Sequence, residues 1–160
     1  MSVIWITGLA NSGKTTLAKS IEKELRKKFD NIVHLDGDEI RKVFNDNSYT
    51  SSSRKKLAYC YSKLCKVLSD QGLTVIMSTI SMFDEVREWN RKNNKKYFEV
   101  YIKSTIKERL ERDDKKIYKK KNIVTFNSKY QEPKNPNFIY EKKNKKKLLD
   151  ILFNKFLKDE

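Results

Sequence analysis

Residues 2–29 read SVIWITGLANSGKTTLAKSIEKELRKKF, and the order of their three parts decides the fold. SVIWIT (2–7) is an unbroken β-rich run of the kind that forms a strand buried on both faces of a parallel sheet. LAKSIEKELRKKF (17–29) sets Leu17, Ala18, Ile21, Leu25 and Phe29 at helical spacing. Between them GLANSGKT (8–15) matches G-x-x-x-x-G-K-[ST]. A glycine-bearing loop in this position turns its backbone N–H groups inward, and the helix N-terminus adds partial positive charge; both favour phosphate. The chain has four glycines, two of them here, so a bare glycine turn without a ligand is the poorer reading. The nucleotide-binding set is then Gly8, Asn11, Ser12, Gly13, Lys14, Thr15 and Thr16. Lys14 would reach the β and γ phosphates of ATP, and the Thr15 hydroxyl would ligate Mg²⁺.

Outward from that loop, strands and helices alternate. NIVHL (31–35), LTVIMST (73–79), KYFEVYIK (96–103) and FIYE (138–141) read as strands. Helices are expected over 38–45, over RKKLAYCYSKLCKVLSDQG (54–72), over MFDEVREWNRKN (82–93), over STIKERLERDD (104–114) and over the C-terminal KKNKKKLLDILFNKFLKD (142–159). In the 54–72 helix the expected inward side is Leu57, Cys60, Tyr61, Leu64, Val67 and Leu68, and Ser53 is its expected cap. Such alternation predicts an α/β P-loop NTPase fold: three layers around a mostly parallel five-stranded sheet, with no repeat and no linker, hence one domain over 1–160. Ligands of open parallel sheets bind beyond the carboxyl ends of the strands, and every candidate motif follows a strand.

The 160 residues are 38% hydrophobic and 36% charged, with a net charge of +15. The charge has a bland reading, solvated lysine-rich faces, and a functional one, attraction to polyanions. Two cysteines, Cys60 and Cys65, lie in a helical pattern without metal spacing, which suits a reducing compartment. With no signal-like N-terminus and no apolar run long enough to span a bilayer, a cytoplasmic protein that engages no membrane is expected.

HLDGDEIRKVF (34–44) places two carboxylates, Asp36 and Asp38, around Gly37 at the end of the second strand. Phosphoryl transfer gives carboxylates two tasks: holding hydrated Mg²⁺, and orienting or deprotonating the attacking hydroxyl. Gly37 would allow a sharp turn, and Arg41 lies one helical turn past Asp38. The alternative is structural: an aspartate N-cap of the 38–45 helix, with Asp36 in the turn. His34, the sole histidine, suits a core or surface role better than catalysis.

GLANSGKTTLA, LDGDEIR, FEVYIK, ERDDKKIYKK and YQEPKNP occur in the order and spacing of the adenylylsulfate kinases, and the resemblance spans nearly the whole chain. It implies a P-loop kinase with a mobile basic lid that moves the γ-phosphoryl group of ATP to the ribose 3′-hydroxyl of an activated nucleotide. By that resemblance Lys14, Asp36 and Asp38 are catalytic, Thr15 and Asp36 sit at Mg²⁺, and Asp38 meets the 3′-hydroxyl. Arg41, Tyr49, Arg54, Ile80, Ser81, Lys119 and Phe126 fall on the substrate side. Tyr49 is the base-stacking aromatic; Phe126 is a second, with ordinary packing nearly as good a reading. KKIYKKK (115–121) is the lid, with Lys116 where the family has glycine.

The match breaks on the acceptor side. Ser53 replaces the Asp of an Asp-Arg pair whose Arg is Arg54, and the family's Asn-Ile-Arg-Arg reads LAYC (57–60). ISMF (80–83) stands for Ile-Ser-Pro-Tyr; Ser81 matches a serine phosphorylated in some members, but a helix N-cap is the favoured expectation. By the resemblance the default acceptor is adenylylsulfate. The alternative is cytidine diphosphoramidate, which some relatives phosphorylate at the same ribose position in capsule polysaccharide pathways. From a different class, a non-catalytic basic module on nucleic acid remains, although Lys14, Thr15, Asp36 and Asp38 are all intact. A small nucleotide partner and no nucleic acid is the expectation; the family's habit of dimerising leaves a homodimer open.

Overall fold

The computed structural model describes residues 1–113 and 130–158. Five strands are present: β1 (Ser2–Thr7), β2 (Ile32–Asp36), β3 (Thr74–Thr79), β4 (Lys96–Ile102) and β5 (Phe138–Tyr140). They pair in the order β2-β3-β1-β4-β5, and every pairing is parallel. The helices are α1 (Lys14–Leu25), α2 (Gly37–Val43), α3 (Ser51–Asp70), α4 (Asp84–Asn93), α5 (Ile106–Glu111) and α6 (Lys145–Ile151). No helix among the described residues is long and apolar enough to cross a membrane.

Strand geometry sends alternate side chains of β1 to opposite faces. Ile4 and Ile6 join Leu17, Ala18, Ile21 and Leu25 of α1 and Leu148 of α6 in one core layer. Val3 and Trp5 join Leu57, Ala58, Tyr61 and Cys65 of α3 and Val86 of α4 in the other. All six residues of β1 are buried, as a central parallel strand requires. The strand therefore ends at a fixed point in the middle of the sheet, and the loop that follows opens over its carboxyl edge.

Three expectations change. First, the inward side of α3 is Leu57, Ala58, Tyr61, Ser62, Cys65 and Ser69, while Val67 is 53% exposed. Leu68 still packs, partly buried, against this layer, and small residues fill the rest of the stripe. Second, Thr50 rather than Ser53 caps α3, accepting the Ser53 N–H at 3.2 Å. The Ser53 hydroxyl instead donates to Asp46 at 2.8 Å. Third, the C-terminal helical segment is broken into a 3₁₀ turn (Lys142–Asn144), α6 and a π-helical turn (Leu152–Phe156). That change of winding carries Leu148, Leu152 and Leu157 all into the α1 layer.

α4 is tied to β4 by charge. Glu99 has no solvent exposure and lies between Arg91, at 2.7 Å, and Arg87, at 3.7 Å. Burial pushes the Glu99 carboxyl above its ordinary value, against the pull of the two arginines. Removing one partner of such a set is strongly destabilising, because it strands a buried charge.

Candidate active site

The phosphate loop spans the gap between β1 and α1. Gly8 opens it against β4, where an added Cβ would lie 2.9 Å from the Ile102 carbonyl. Asn11 (φ 59°) and Gly13 (φ 95°) are both left-handed. At Gly13 an added Cβ would meet nothing closer than 3.4 Å, so conformation rather than space calls for glycine. The Leu9 carbonyl ties the loop from inside: it accepts Ser12 N–H at 3.2 Å and Lys14 Nζ at 2.7 Å. The end of α5 ties it from outside. Asn11 donates to Asp113 at 2.9 Å, and Arg112 donates to the Ser12 carbonyl at 3.1 Å. Ser12 is buried, whereas Thr15 and Thr16 are exposed on the first turn of α1.

Lys14 is the charge centre. Burial brings its ammonium down to about 8, Asp38 and then Asp36 act to raise it, and Arg109 adds to the lowering. A cation thus sits next to both carboxylates of the Asp36–Gly37–Asp38 elbow, which ends β2 and begins α2.

Asp36 is the most connected carboxylate here. Its Oδ2 accepts from Thr15 Oγ1 at 2.6 Å and from Ser78 Oγ at 3.0 Å; its Oδ1 accepts the Asp38 N–H at 3.0 Å. Burial acts to raise its pKa, but these three bonds outweigh it and hold the carboxyl below its ordinary value. Asp36 is thereby the cap of α2 and the partner of Thr15 at once, so the structural and chemical readings of the pair do not compete. Behind it, Ser78 Oγ lies 3.1 Å from His34 Nε2, and His34 Nδ1 lies 3.6 Å from Glu22. Burial, the main cause, keeps His34 below its ordinary value.

Gly37 is glycine for a different reason than a sharp turn. Its φ is not positive; an added Cβ would lie 2.9 Å from Thr79 Oγ1 and 3.1 Å from the Ser78 carbonyl. The elbow packs directly onto the end of β3.

Among the residues expected to face the acceptor, Arg41 stacks over the Tyr49 ring at 4.9 Å, donates to the Ser48 carbonyl at 3.0 Å and lies 4.0 Å from Asp46. Tyr49 is 43% exposed, so its ring is reachable. The Arg54 Nε is buried without a hydrogen-bond partner among the described residues. Burial, and then the neighbouring Arg41, pull Arg54 below its ordinary value. Two guanidinium groups therefore share a region in which the candidate Asp partner is replaced by Ser53. Ile80 packs with Leu9, Met82 and Tyr101 and contributes no polar side chain.

Ser81 does not cap α4. That helix begins after Phe83, whose own side chain supplies no cap, and the Ser81 hydroxyl, at φ 29°, pairs with Thr79 Oγ1 at 2.8 Å. The two intervening residues, Met82 and Phe83, put it out of reach of the first helical N–H groups. Lys119, Phe126 and the 115–121 lid lie outside the described residues.

Ser78 and Tyr61 are parts of the site that motif reading missed, while Arg112 and Asp113 lie in the ERDDKKIYKK block (111–120) without a role read for them. Ser78 had a signal: β2 and β3 pair with Asp36 level with Ser78, and Ser78–Thr79 interrupts the apolar run of β3. Tyr61 had none, since it falls on an ordinary helical stripe.

Residues 1–141 match the adenylylsulphate kinase family model. The chain is 43% identical over 118 residues to the cytidine diphosphoramidate kinase of Campylobacter jejuni, covering 74% of this chain and 69% of that protein. It is 40% identical over 143 residues to the adenylyl-sulfate kinase of Thermodesulfovibrio yellowstonii, covering 84% and 72%. The Mycobacterium tuberculosis APS kinase in complex with AMPPNP and APS superimposes with a TM-score of 0.82 at 27% identity, covering 94% of this chain and 96% of that one. With the phosphate loop, the paired carboxylates and the parallel sheet already in place, the chain belongs to the adenylylsulphate kinase family: it is a P-loop nucleotide kinase, a phosphotransferase acting on a hydroxyl group.

Proposed function

We propose that this kinase transfers the γ-phosphoryl group of ATP to the ribose 3′-hydroxyl of an activated nucleotide, and that cytidine diphosphoramidate is its acceptor in preference to adenylylsulfate. The observation that carries the chemistry is the position of Lys14, between the phosphate loop and the two carboxylates of the elbow. On nucleotide binding Lys14 exchanges the Leu9 carbonyl for phosphate oxygens. Asp38 receives the proton of the 3′-hydroxyl as its oxygen attacks the γ-phosphorus and ADP departs. Arg41 and Arg54 hold the anionic part of the acceptor, and the Tyr49 ring supports its base.

The donor set at Thr15 and Asp36 fits Mg²⁺: one hydroxyl and one carboxylate, oxygens only, with the remaining positions left to water and phosphate. When bound there, Mg²⁺ would neutralise charge on the β and γ phosphates.

For the acceptor, Leu57 and Ala58 are buried in the α3 core layer. They stand where the resemblance expects Asn and Ile followed by two arginines, and they offer an acceptor no polar side chain. That loss, together with the 43% identity to a cytidine diphosphoramidate kinase, favours the cytidine compound. Adenylylsulfate is the second reading, supported by the 40% identity to an adenylyl-sulfate kinase.

ADP release from Mg·ATP, followed in parallel with the two acceptors, tests the proposal. Faster turnover with cytidine diphosphoramidate and none without an acceptor is expected. Higher kcat/KM with adenylylsulfate would overturn the choice of acceptor. ATP turnover indifferent to either would overturn the transfer reaction itself.

A further inference from the structure

The peptide unit joining Gly37 to Asp38 is held at both ends. Its N–H donates to Asp36 Oδ1 at 3.0 Å. Its C=O, the Gly37 carbonyl, accepts the Tyr61 hydroxyl at 2.7 Å from across the core. Because a peptide unit is planar, fixing both polar ends fixes the plane, and with it the direction in which the chain leaves toward Asp38. Gly37 itself cannot retreat, since it lies against Thr79 and the Ser78 carbonyl. The hydroxyl that completes this clamp comes from α3. Tyr61 is 4% exposed and packs among Val3, Trp5, Leu57 and Met77, so its ring is as fixed as the sheet. It lies one helical turn past Leu57, on a helix that has lost the polar residues the resemblance expects one turn earlier.

We infer that Tyr61 is a positioning residue for phosphoryl transfer: it holds the Asp36–Gly37–Asp38 elbow so that the Asp38 carboxylate faces the acceptor hydroxyl. This rests on the reading that Asp38 meets that hydroxyl. Charge surroundings agree with a central location. Burial is the main cause that raises the Tyr61 phenol, and Arg41, Asp38, Asp46 and Asp36 all act on it. The role needs the hydroxyl as a donor and the ring as a rigid arm; it needs no proton transfer by Tyr61. Groups that a shift of about 1 Å displaces from the reacting atoms lose on the order of 100-fold in rate, while substrate binding elsewhere is untouched.

Tyr61→Phe keeps the ring and removes only the donor. With whichever acceptor turns over, kcat is expected to fall roughly 10- to 100-fold. Affinity for a non-hydrolysable ATP analogue, measured calorimetrically, should stay within about threefold, because the Tyr61 hydroxyl bonds the Gly37 carbonyl and not a group of the phosphate loop. The decisive measurement is a double-mutant cycle with Asp38→Asn, read by single-turnover kinetics. If Tyr61 acts through Asp38, its substitution changes the rate little once Asp38 is already Asn. Equal losses in both backgrounds would assign Tyr61 a general structural role and overturn the inference, as would a Tyr61→Phe kcat within about twofold of the unchanged protein. Tyr61→Met, a flexible apolar filler without a donor, takes its place if Tyr61→Phe does not fold, with the same outcomes. Failure of the underlying reading looks different: Asp38→Asn alone would then leave kcat intact.

Discussion

The two halves of the cleft are built in opposite ways. On the phosphate side four polar groups have partners on the protein, Lys14 on the Leu9 carbonyl, Thr15 on Asp36, Asn11 on Asp113 and the Ser12 carbonyl on Arg112, while the Ser12 hydroxyl is buried without one among the described residues. Around the residues expected to face the acceptor, Arg41 reaches the Ser48 carbonyl and, at 4.0 Å, Asp46, whereas its neighbour Arg54 has a buried Nε lacking a hydrogen-bond partner among the described residues, beside a half-exposed tyrosine. A preorganised half suits charge that is the same in every turnover, the phosphates and the transferred group. On the proposed reading Arg54 gains its counter-charge when an anionic acceptor arrives, so the binding energy of the acceptor completes the site. Relatives with different acceptors can then share one phosphate side unchanged.

Substitutions can break this contrast, and the largest effect falls on the preorganised half. Lys14→Ala should lower kcat by about 10³-fold, since it removes the charge closest to the transferred group. ADP release under saturating ATP measures it. Asp38→Asn should leave the affinity for an ATP analogue nearly unchanged and reduce kcat by about 10²- to 10³-fold. Near-normal turnover would remove Asp38 from the mechanism. Arg54→Ala belongs to the other half: it should raise KM for the acceptor roughly 10- to 100-fold, the worth of a hydrogen bond to a charged group, with KM for ATP unchanged. An equal rise in both constants would merge the two halves.

The smallest effect sharpens the comparison through pH. Lys14 in the nucleotide-free protein titrates at about 8, below its ordinary value. Bound phosphate favours the charged ammonium, so ATP binding takes up a proton when the pH exceeds that value. Affinity for ATP should therefore decline as pH rises through 8. Acceptor affinity should not follow, because its arginines stay charged. Calorimetric titration of an ATP analogue between pH 7 and pH 9 checks the first half, and acceptor KM over the same range the second.

Most of the fold was legible because burial imposes a period. The unbroken β1, the phosphate loop and the 3.6-residue pattern of α1 leave one arrangement, and the remaining strands follow it around the sheet. What the pattern could not carry were choices between equivalent polar groups. Thr50 and Ser53 are both acceptable caps for α3; which one serves depended on Asp46 being close enough to take the Ser53 hydroxyl. Ser81 looked like a cap because spacing says nothing about a left-handed φ, which turned its hydroxyl to Thr79. Gly37 was assigned to a turn, yet its reason is a neighbour 42 residues away in sequence, Thr79, brought to it only by the pairing of β2 with β3. Tyr61 illustrates the limit most plainly: periodicity placed the ring inside, and only the three-dimensional path of α2 shows what its hydroxyl reaches.

Residues 112 and 113 grip the phosphate loop, and Gln131 grips the start of α4. Its N–H donates to the Met82 carbonyl at 3.0 Å, its Oε1 accepts the Asp84 N–H at 2.8 Å, and its carbonyl accepts Arg87 at 2.8 Å. The phosphate loop and the start of α4 are thus braced from outside, by residues that belong to none of the elements the loop and that helix join.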